Sequence, residues 1–92
     1  MQFEYDPEKS DANKRKHGID FEAAKDLWED MGRVEAPVPM KDEPRELVVG
    51  KILGKYWTAV VTERGPKTRI ISVRRSREKE VRRYEENISK GV

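Results

Sequence analysis

The stretch that decides the fold is residues 45–75, RELVVGKILGKYWTAVVTERGPKTRIISVRR. Valine, isoleucine, threonine and aromatic residues crowd it, and two turn signals divide it into three runs. The spacing predicts strands over residues 45–53, 56–64 and 68–75. Gly54-Lys55 suits a two-residue hairpin with glycine first, and Arg64-Gly65-Pro66-Lys67 supplies the second reversal. Three consecutive antiparallel strands are therefore the expected centre of the domain.

On the N-terminal side, Phe3 and Tyr5 alternate with polar neighbours and suggest a short first strand. Asp6-Pro7 reads as a helix cap followed by proline at the first helical position, and Gly18 suits the left-handed residue that ends a helix over residues 7–17. Ala12 is the only apolar residue in that helix, so Tyr5 and Ile19 on its flanks are expected to hold it. A second helix is expected from the Asp20 cap to Gly32, burying Ala24, Leu27, Trp28 and Met31 at the i, i+3, i+4, i+7 spacing of one face. Residues 33–44 contain Pro37, Pro39 and Pro44 and read as a loop or an edge segment. On the C-terminal side a last helix is expected from a Ser76 cap, burying Val81, Tyr84 and Ile88. The order β-α-α-β-β-β-α predicts an α+β domain: an antiparallel sheet against two N-terminal helices, with a C-terminal helix.

Ninety-two residues make one domain, spanning the whole chain from 1 to 92, with 35% hydrophobic and 41% charged residues. Without cysteine there is no disulfide framework, thiolate nucleophile or Cys-based zinc site. A single histidine, with no paired His/Cys spacing, argues against a dedicated transition-metal centre, and no cofactor is expected. The N-terminus has no basic region followed by an apolar run, and nothing approaches 18 consecutive apolar residues, so a soluble cytoplasmic protein is expected.

The net charge of +2 hides an asymmetry. Residues 1–50 carry 8 Lys/Arg against 13 Asp/Glu, and residues 51–92 carry 12 against 5. Between Arg64 and Arg83 nine residues are basic and two, Glu78 and Glu80, are acidic. Such a segment fits a polyanionic partner, or else a solvated basic face balanced by acids elsewhere. The arginines also sit where elements end: Arg64 closes one strand, Arg74 and Arg75 close the next, and Arg77 opens the helix. The helical wheel turns Arg77 toward the sheet and Lys79 and Arg83 toward water. Clustered guanidinium groups repel one another unless an anion bridges them, which a phosphate does with bidentate geometry. The alternative is an Arg–Glu network through Glu63, Glu78 or Glu80.

His17, the one histidine, is a candidate general acid or base, although a histidine at a helix C-terminus equally complements the dipole. Glu63 is placed either to accept a ribose 2′-hydroxyl proton or to form a cross-strand pair. Tyr84 and Trp57 are able to stack on bases, yet both stand at periodic apolar positions that suit the core.

Two blocks of sequence resemble the BrnT family of toxins. The first is Phe3-Glu4-Tyr5-Asp6-Pro7-Glu8-Lys9, then Asn13, Lys16-His17-Gly18-Ile19 and Phe21, with Tyr5 where tryptophan is common. The second is Val60-Val61-Thr62-Glu63-Arg64, then Arg69-Ile70-Ile71-Ser72-Val73-Arg74-Arg75, followed by Glu80 and Tyr84. The resemblance implies a RelE-like ribonuclease fold and a metal-independent endoribonuclease that arrests translation and growth. It implies a BrnA-type antitoxin whose ribbon-helix-helix domain binds operator DNA, so that the toxin reaches DNA only through its partner. By matching position, Arg64 and Arg77 are expected at the transition state, with Arg74 and Arg75 on phosphate. Glu63 and Lys51 become candidates for proton transfer, and His17 and Tyr84 weaker ones for contact with RNA. A non-catalytic nucleic-acid-binding or protein-interaction module is the alternative reading.

Overall fold

The computed structural model describes residues 1–38 and 43–90. The elements run β1 (Gln2–Glu4), α1 (Pro7–His17), α2 (Phe21–Ala24), a 3₁₀ turn (Lys25–Glu29), β2 (Val34–Val38), β3 (Arg45–Ile52), β4 (Lys55–Arg64), β5 (Lys67–Arg75) and α3 (Glu78–Lys90). The meander β3-β4-β5 forms as the sequence indicates, and the α+β class holds. The sheet is wider than three strands, however, with order β1-β5-β4-β3-β2. β1 adds in parallel to β5, pairing Phe3 with Thr68, while β2 pairs antiparallel with β3. Pro37 is tolerated because β2 is an edge strand and owes hydrogen bonds on one side only. Of residues 33–44, positions 39–42 lie outside the described residues, Pro39 among them.

Both hairpins are tight, but their turn chemistry differs. Arg64 pairs with Lys67 across Gly65-Pro66, with Gly65 at φ 58 and proline holding the negative φ that must follow. Ile52 pairs with Lys55, so the other turn is Leu53-Gly54 and glycine stands second, not first. Both turn residues have positive φ, 50 for Leu53 and 80 for Gly54, the type I′ pattern. Leu53 pays the Cβ penalty of that region while 98% exposed. Leu53→Asn should therefore stabilise the protein, by about 0.5–1 kcal/mol in a denaturant melt, since asparagine tolerates this conformation. An unchanged or lower midpoint would contradict this account of the turn.

One face of the sheet carries the core. Phe21, Ala24 and Leu27 pack on Val48, Trp57, Ala59, Val61, Ile70 and Val73, and all are buried. The spacing of Phe21, Ala24 and Leu27 is three, the period of a 3₁₀ helix, and the chain tightens from α to 3₁₀ geometry at Lys25. That tightening ends the expected long helix early and leaves Met31 93% exposed instead of buried. Trp57 is buried, as its periodic position suggests.

α1 has the expected bounds, with Asp6 accepting from the Glu8 N–H at its start and Gly18 at φ 84 at its end. Tyr5 packs edge-on against Phe21 and Ile19 is buried, as expected, and polar groups fix the helix as well. The Ser10 hydroxyl accepts from the Phe21 N–H at 2.9 Å. Buried Asn13 donates to the carbonyls of Ile19 (2.8 Å) and Val73 (2.9 Å) and accepts from the Val73 N–H (3.2 Å). No helix among the described residues is long and apolar enough to cross a membrane.

Candidate functional site

The sheet face turned away from α1 and α2 is only partly covered. Side chains alternate along a strand, so Tyr56, Thr58, Val60, Thr62 and Arg64 share this face on β4. The pairing brings Lys51, Val49 and Leu47 on β3 and Arg74 on β5 onto it as well. α3 crosses it from the end of β5 to β3 and β2, and Asn87 reaches the Gly32 carbonyl at 3.4 Å.

Glu80 sets how α3 begins. Its carboxylate accepts from Arg74 Nη1 and Nη2 at 2.8 and 2.9 Å, from the Thr58 hydroxyl at 3.0 Å, and from the Arg77 N–H at 2.8 Å. The last bond is the return half of a capping box, with Arg77 as the residue just outside the helix. Ser76 is not the cap, because its hydroxyl is engaged with Thr58 at 2.8 Å. The Arg74 guanidinium, helped by the Arg77 N–H and the Thr58 hydroxyl, holds the Glu80 carboxyl down at about 2 against its partial burial. The same bond raises Arg74 above the usual guanidinium value. Glu80 is thus ionised throughout the neutral range.

With Glu80 and Tyr84 facing the sheet, the helix is turned from the expected wheel. Val81 is half-buried and Ile88 is 41% exposed, whereas Tyr84 is buried as expected. Arg77 does not point inward: it is exposed at the helix start. Arg83 and Lys79 are exposed, as expected, yet both line the same groove as Arg77. That groove, about 400 Å³, is walled by Arg74, Arg77, Lys79, Glu80 and Arg83 and floored by Val38 and Leu47. Among the described residues, four cations thus face one carboxylate, and that carboxylate is already paired. No local sequence signal places Lys79 and Arg83 here, because arginine is not a usual cap residue and the Arg77 to Glu80 spacing does not read as a capping box.

The remaining candidates are distributed around the groove. Arg75 lies on the core face of the sheet's end, its guanidinium 5.4 Å from the Trp57 ring and its Nε donating to the Tyr56 carbonyl at 3.2 Å. Lys51 and Tyr84 meet on the other side of α3, in a cleft of about 310 Å³ shared with Tyr56, Glu85 and Ile88. Lys51 Nζ sits 4.9 Å over the Tyr56 ring, and the Tyr56 hydroxyl donates to Glu85 at 3.0 Å. The Tyr84 hydroxyl donates to Asp30 at 2.8 Å; burial and that carboxylate push it up to about 12. Burial opposes the charge on Asp30, but the N–H groups of Lys51 and Gly32 and the Tyr84 hydroxyl outweigh it and lower its pKa. Asp30, which the sequence did not single out, therefore ties the 3₁₀ turn, β3 and α3 together.

Arg64 and Glu63 lie at the far end of β4. Six residues separate Arg64 from Thr58, about 20 Å of strand, so Arg64 and Arg74 are not placed to share one phosphate. Arg64 Nη2 is 3.3 Å from Glu43. Glu63 projects to the opposite face from Arg64 and accepts from the Thr68 hydroxyl at 3.0 Å. His17 ends α1, on the other side of the sheet, within a basic last turn that complements the helix dipole. The expected cluster of Arg64, Arg74, Arg75 and Arg77 is thus divided: Arg74 and Arg77 meet, joined by Lys79 and Arg83.

Residues 5–80 match the family model described as "Ribonuclease toxin, BrnT, of type II toxin-antitoxin system". No curated protein matches the chain closely enough to count as a relative.

Proposed function

Because the chain belongs to the BrnT family, ribonuclease toxins of type II toxin–antitoxin systems, we propose that its RNA lies in the groove beside α3 and is cleaved there without a metal ion. The observation that carries this reading is the convergence of Arg74, Arg77, Lys79 and Arg83 on a groove whose one carboxylate among the described residues is already paired. Apolar Val38 and Leu47 on the floor suit a ribose or base, while the wall suits the phosphodiester.

The ribose 2′-hydroxyl attacks the adjacent phosphorus, losing its proton, and the 5′-oxygen leaves and gains one. Negative charge builds on the non-bridging oxygens as the phosphorus becomes five-coordinate. Guanidinium donors fixed near those oxygens stabilise this state more than the ground state, each worth about 10²–10³ in rate. Glu80 is held ionised by its partners, and Lys51, Glu63 and His17 lie outside the groove. Charge stabilisation, rather than a paired acid and base, therefore carries most of the acceleration. Arg64, at the far end of the same open face, holds a more distant phosphate.

The cognate antitoxin is of the BrnA type, with a ribbon-helix-helix domain that carries the pair to operator DNA. An acidic or amphipathic segment of it covers the basic half of the toxin in the cytoplasm, where RNA would otherwise bind.

Purified protein incubated with RNA in EDTA should yield fragments with a 5′-hydroxyl and a 2′,3′-cyclic or 3′-phosphate end, read by mass spectrometry. A 5′-phosphate would mean attack by water and overturn this chemistry. Binding without cleavage would select a non-catalytic module.

A further inference from the structure

The contact between Arg74 and Glu80 is asymmetric in a way that a plain surface ion pair is not. Arginine offers two edges: an end-on pair from its two terminal nitrogens, and a side-on pair from Nε and Nη2. Glu80 takes the end-on pair, at 2.8 and 2.9 Å, and the Arg75 carbonyl takes a further Nη1 hydrogen at 3.3 Å. The side-on edge carries no partner among the described residues. The arginine side chain is 21% exposed and the glutamate 13%, so the guanidinium lies in the wall of the groove with little freedom to turn.

Glu80 is itself held from two further directions. Thr58, fully buried at the centre of β4, donates from the sheet, and the Arg77 N–H donates from the start of α3. A carboxylate with this many fixed donors cannot follow a moving arginine, so it imposes its own position on Arg74. The side-on edge has the two parallel N–H groups that match two oxygens of a phosphate.

We infer that Glu80 is a positioning residue of the ribonuclease: it grips the end of Arg74 so that the side-on edge stays presented to the scissile phosphate. The inference rests on the groove being the site of cleavage. It makes a negative charge beside a polyanion useful, because orientation gained at the reacting phosphate exceeds the attraction lost. Arg74 acts on the phosphate, and Glu80 acts through Arg74.

The test separates RNA affinity from the cleavage step. Single-turnover cleavage at saturating protein gives the rate, and binding to an RNA with a 2′-deoxy substitution at the cleavage position gives the affinity. Glu80→Gln removes one negative charge and keeps the capping-box geometry, for which glutamine also serves. It should bind RNA as tightly as wild type or tighter, yet cleave it about 10–100-fold more slowly. A residue that only caps the helix would leave the rate unchanged, and one that only repels RNA would leave the variant faster; either result overturns the inference. Arg74→Lys keeps the charge without the fork and should lose a similar factor, with the double variant no slower than Arg74→Lys alone. Losses that multiply would show that the two residues act independently and would also overturn it. Should Glu80→Gln fail to fold, Glu80→Asp keeps the charge but draws the carboxylate back by one methylene. Slow cleavage by a folded Glu80→Asp supports positioning, and full rate refutes it. If Arg74→Lys cleaves at the wild-type rate, the placement of cleavage in the groove fails, and this inference with it. If Arg74→Lys is slow while Glu80→Gln is not, only the positioning role fails.

Discussion

Arg77→Ala should slow RNA cleavage by about 10²–10³-fold, a loss of about 3–4 kcal/mol at the transition state, with little change in thermal midpoint. The separation follows from where Arg77 stands. Its N–H caps α3 by donating to Glu80, and alanine keeps that bond. Its side chain is exposed on the groove wall, and an exposed arginine contributes only about 0.5 kcal/mol or less to stability. Arg83, on the same wall, is a sharper probe than its sequence position suggests. A helical wheel centred on Val81 and Ile88 puts it in solvent, and its alanine variant would then be active. The structure lines the groove with it, so Arg83→Ala should weaken RNA binding and cleavage, less than Arg77→Ala does. Arg64→Ala, about 20 Å along β4, should loosen RNA binding and reduce the salt slope by about one unit while leaving the rate at saturation near wild type. Growth arrest on induction, thermal melts and single-turnover cleavage read these together. Equal loss from all three variants would mean that bulk charge matters and the groove does not.

Asn13→Leu should cost about 3–5 kcal/mol of stability, the largest effect expected outside the groove. Asn13 is 7% exposed and serves three backbone groups at once: the carbonyls of Ile19 and Val73, and the Val73 N–H. Leucine fills the space but leaves those groups without partners, each orphaned group costing about 1–3 kcal/mol. For a domain of this size the melting temperature should fall by roughly 15 °C or more. Asn13→Asp keeps the acceptor for the Val73 N–H and loses both donors, so it should also be strongly destabilised. A loss below about 1 kcal/mol for Asn13→Leu would mean that α1 is held by its neighbours Tyr5 and Ile19 instead.

What the residues determine alone is whatever depends on near neighbours in the chain. Proline after Asp6 and glycine at 18 bound α1 because the cap and the left-handed residue are local choices. The alternation in residues 45–75 and the two tight turns set the meander, since a hairpin pairs residues close in sequence. The basic C-terminal half is composition, and two blocks of motif suffice to point to the family. Local pattern fails where long-range pairing intervenes. The parallel strand Gln2–Glu4 joins β5 across some 65 residues, and the proline-containing β2 becomes a strand only because β3 offers an edge. The second helix tightens to 3₁₀ geometry at Lys25, and Asp30 beyond it finds partners on β3 and α3.

The candidate site belongs to the same class of long-range decision. Arginines at the ends of strands look alike in sequence, but antiparallel strands send successive ends in opposite directions, so Arg64 and Arg74 stand far apart. The turn of α3 about its own axis was decided by Glu80 meeting Arg74 and Thr58, a contact between helix and sheet that no helical periodicity contains. The sequence determined that a basic, strand-rich ribonuclease would form; only the tertiary structure decided which of its arginines face one another, because that depends on contacts between elements and not on the order of residues within them.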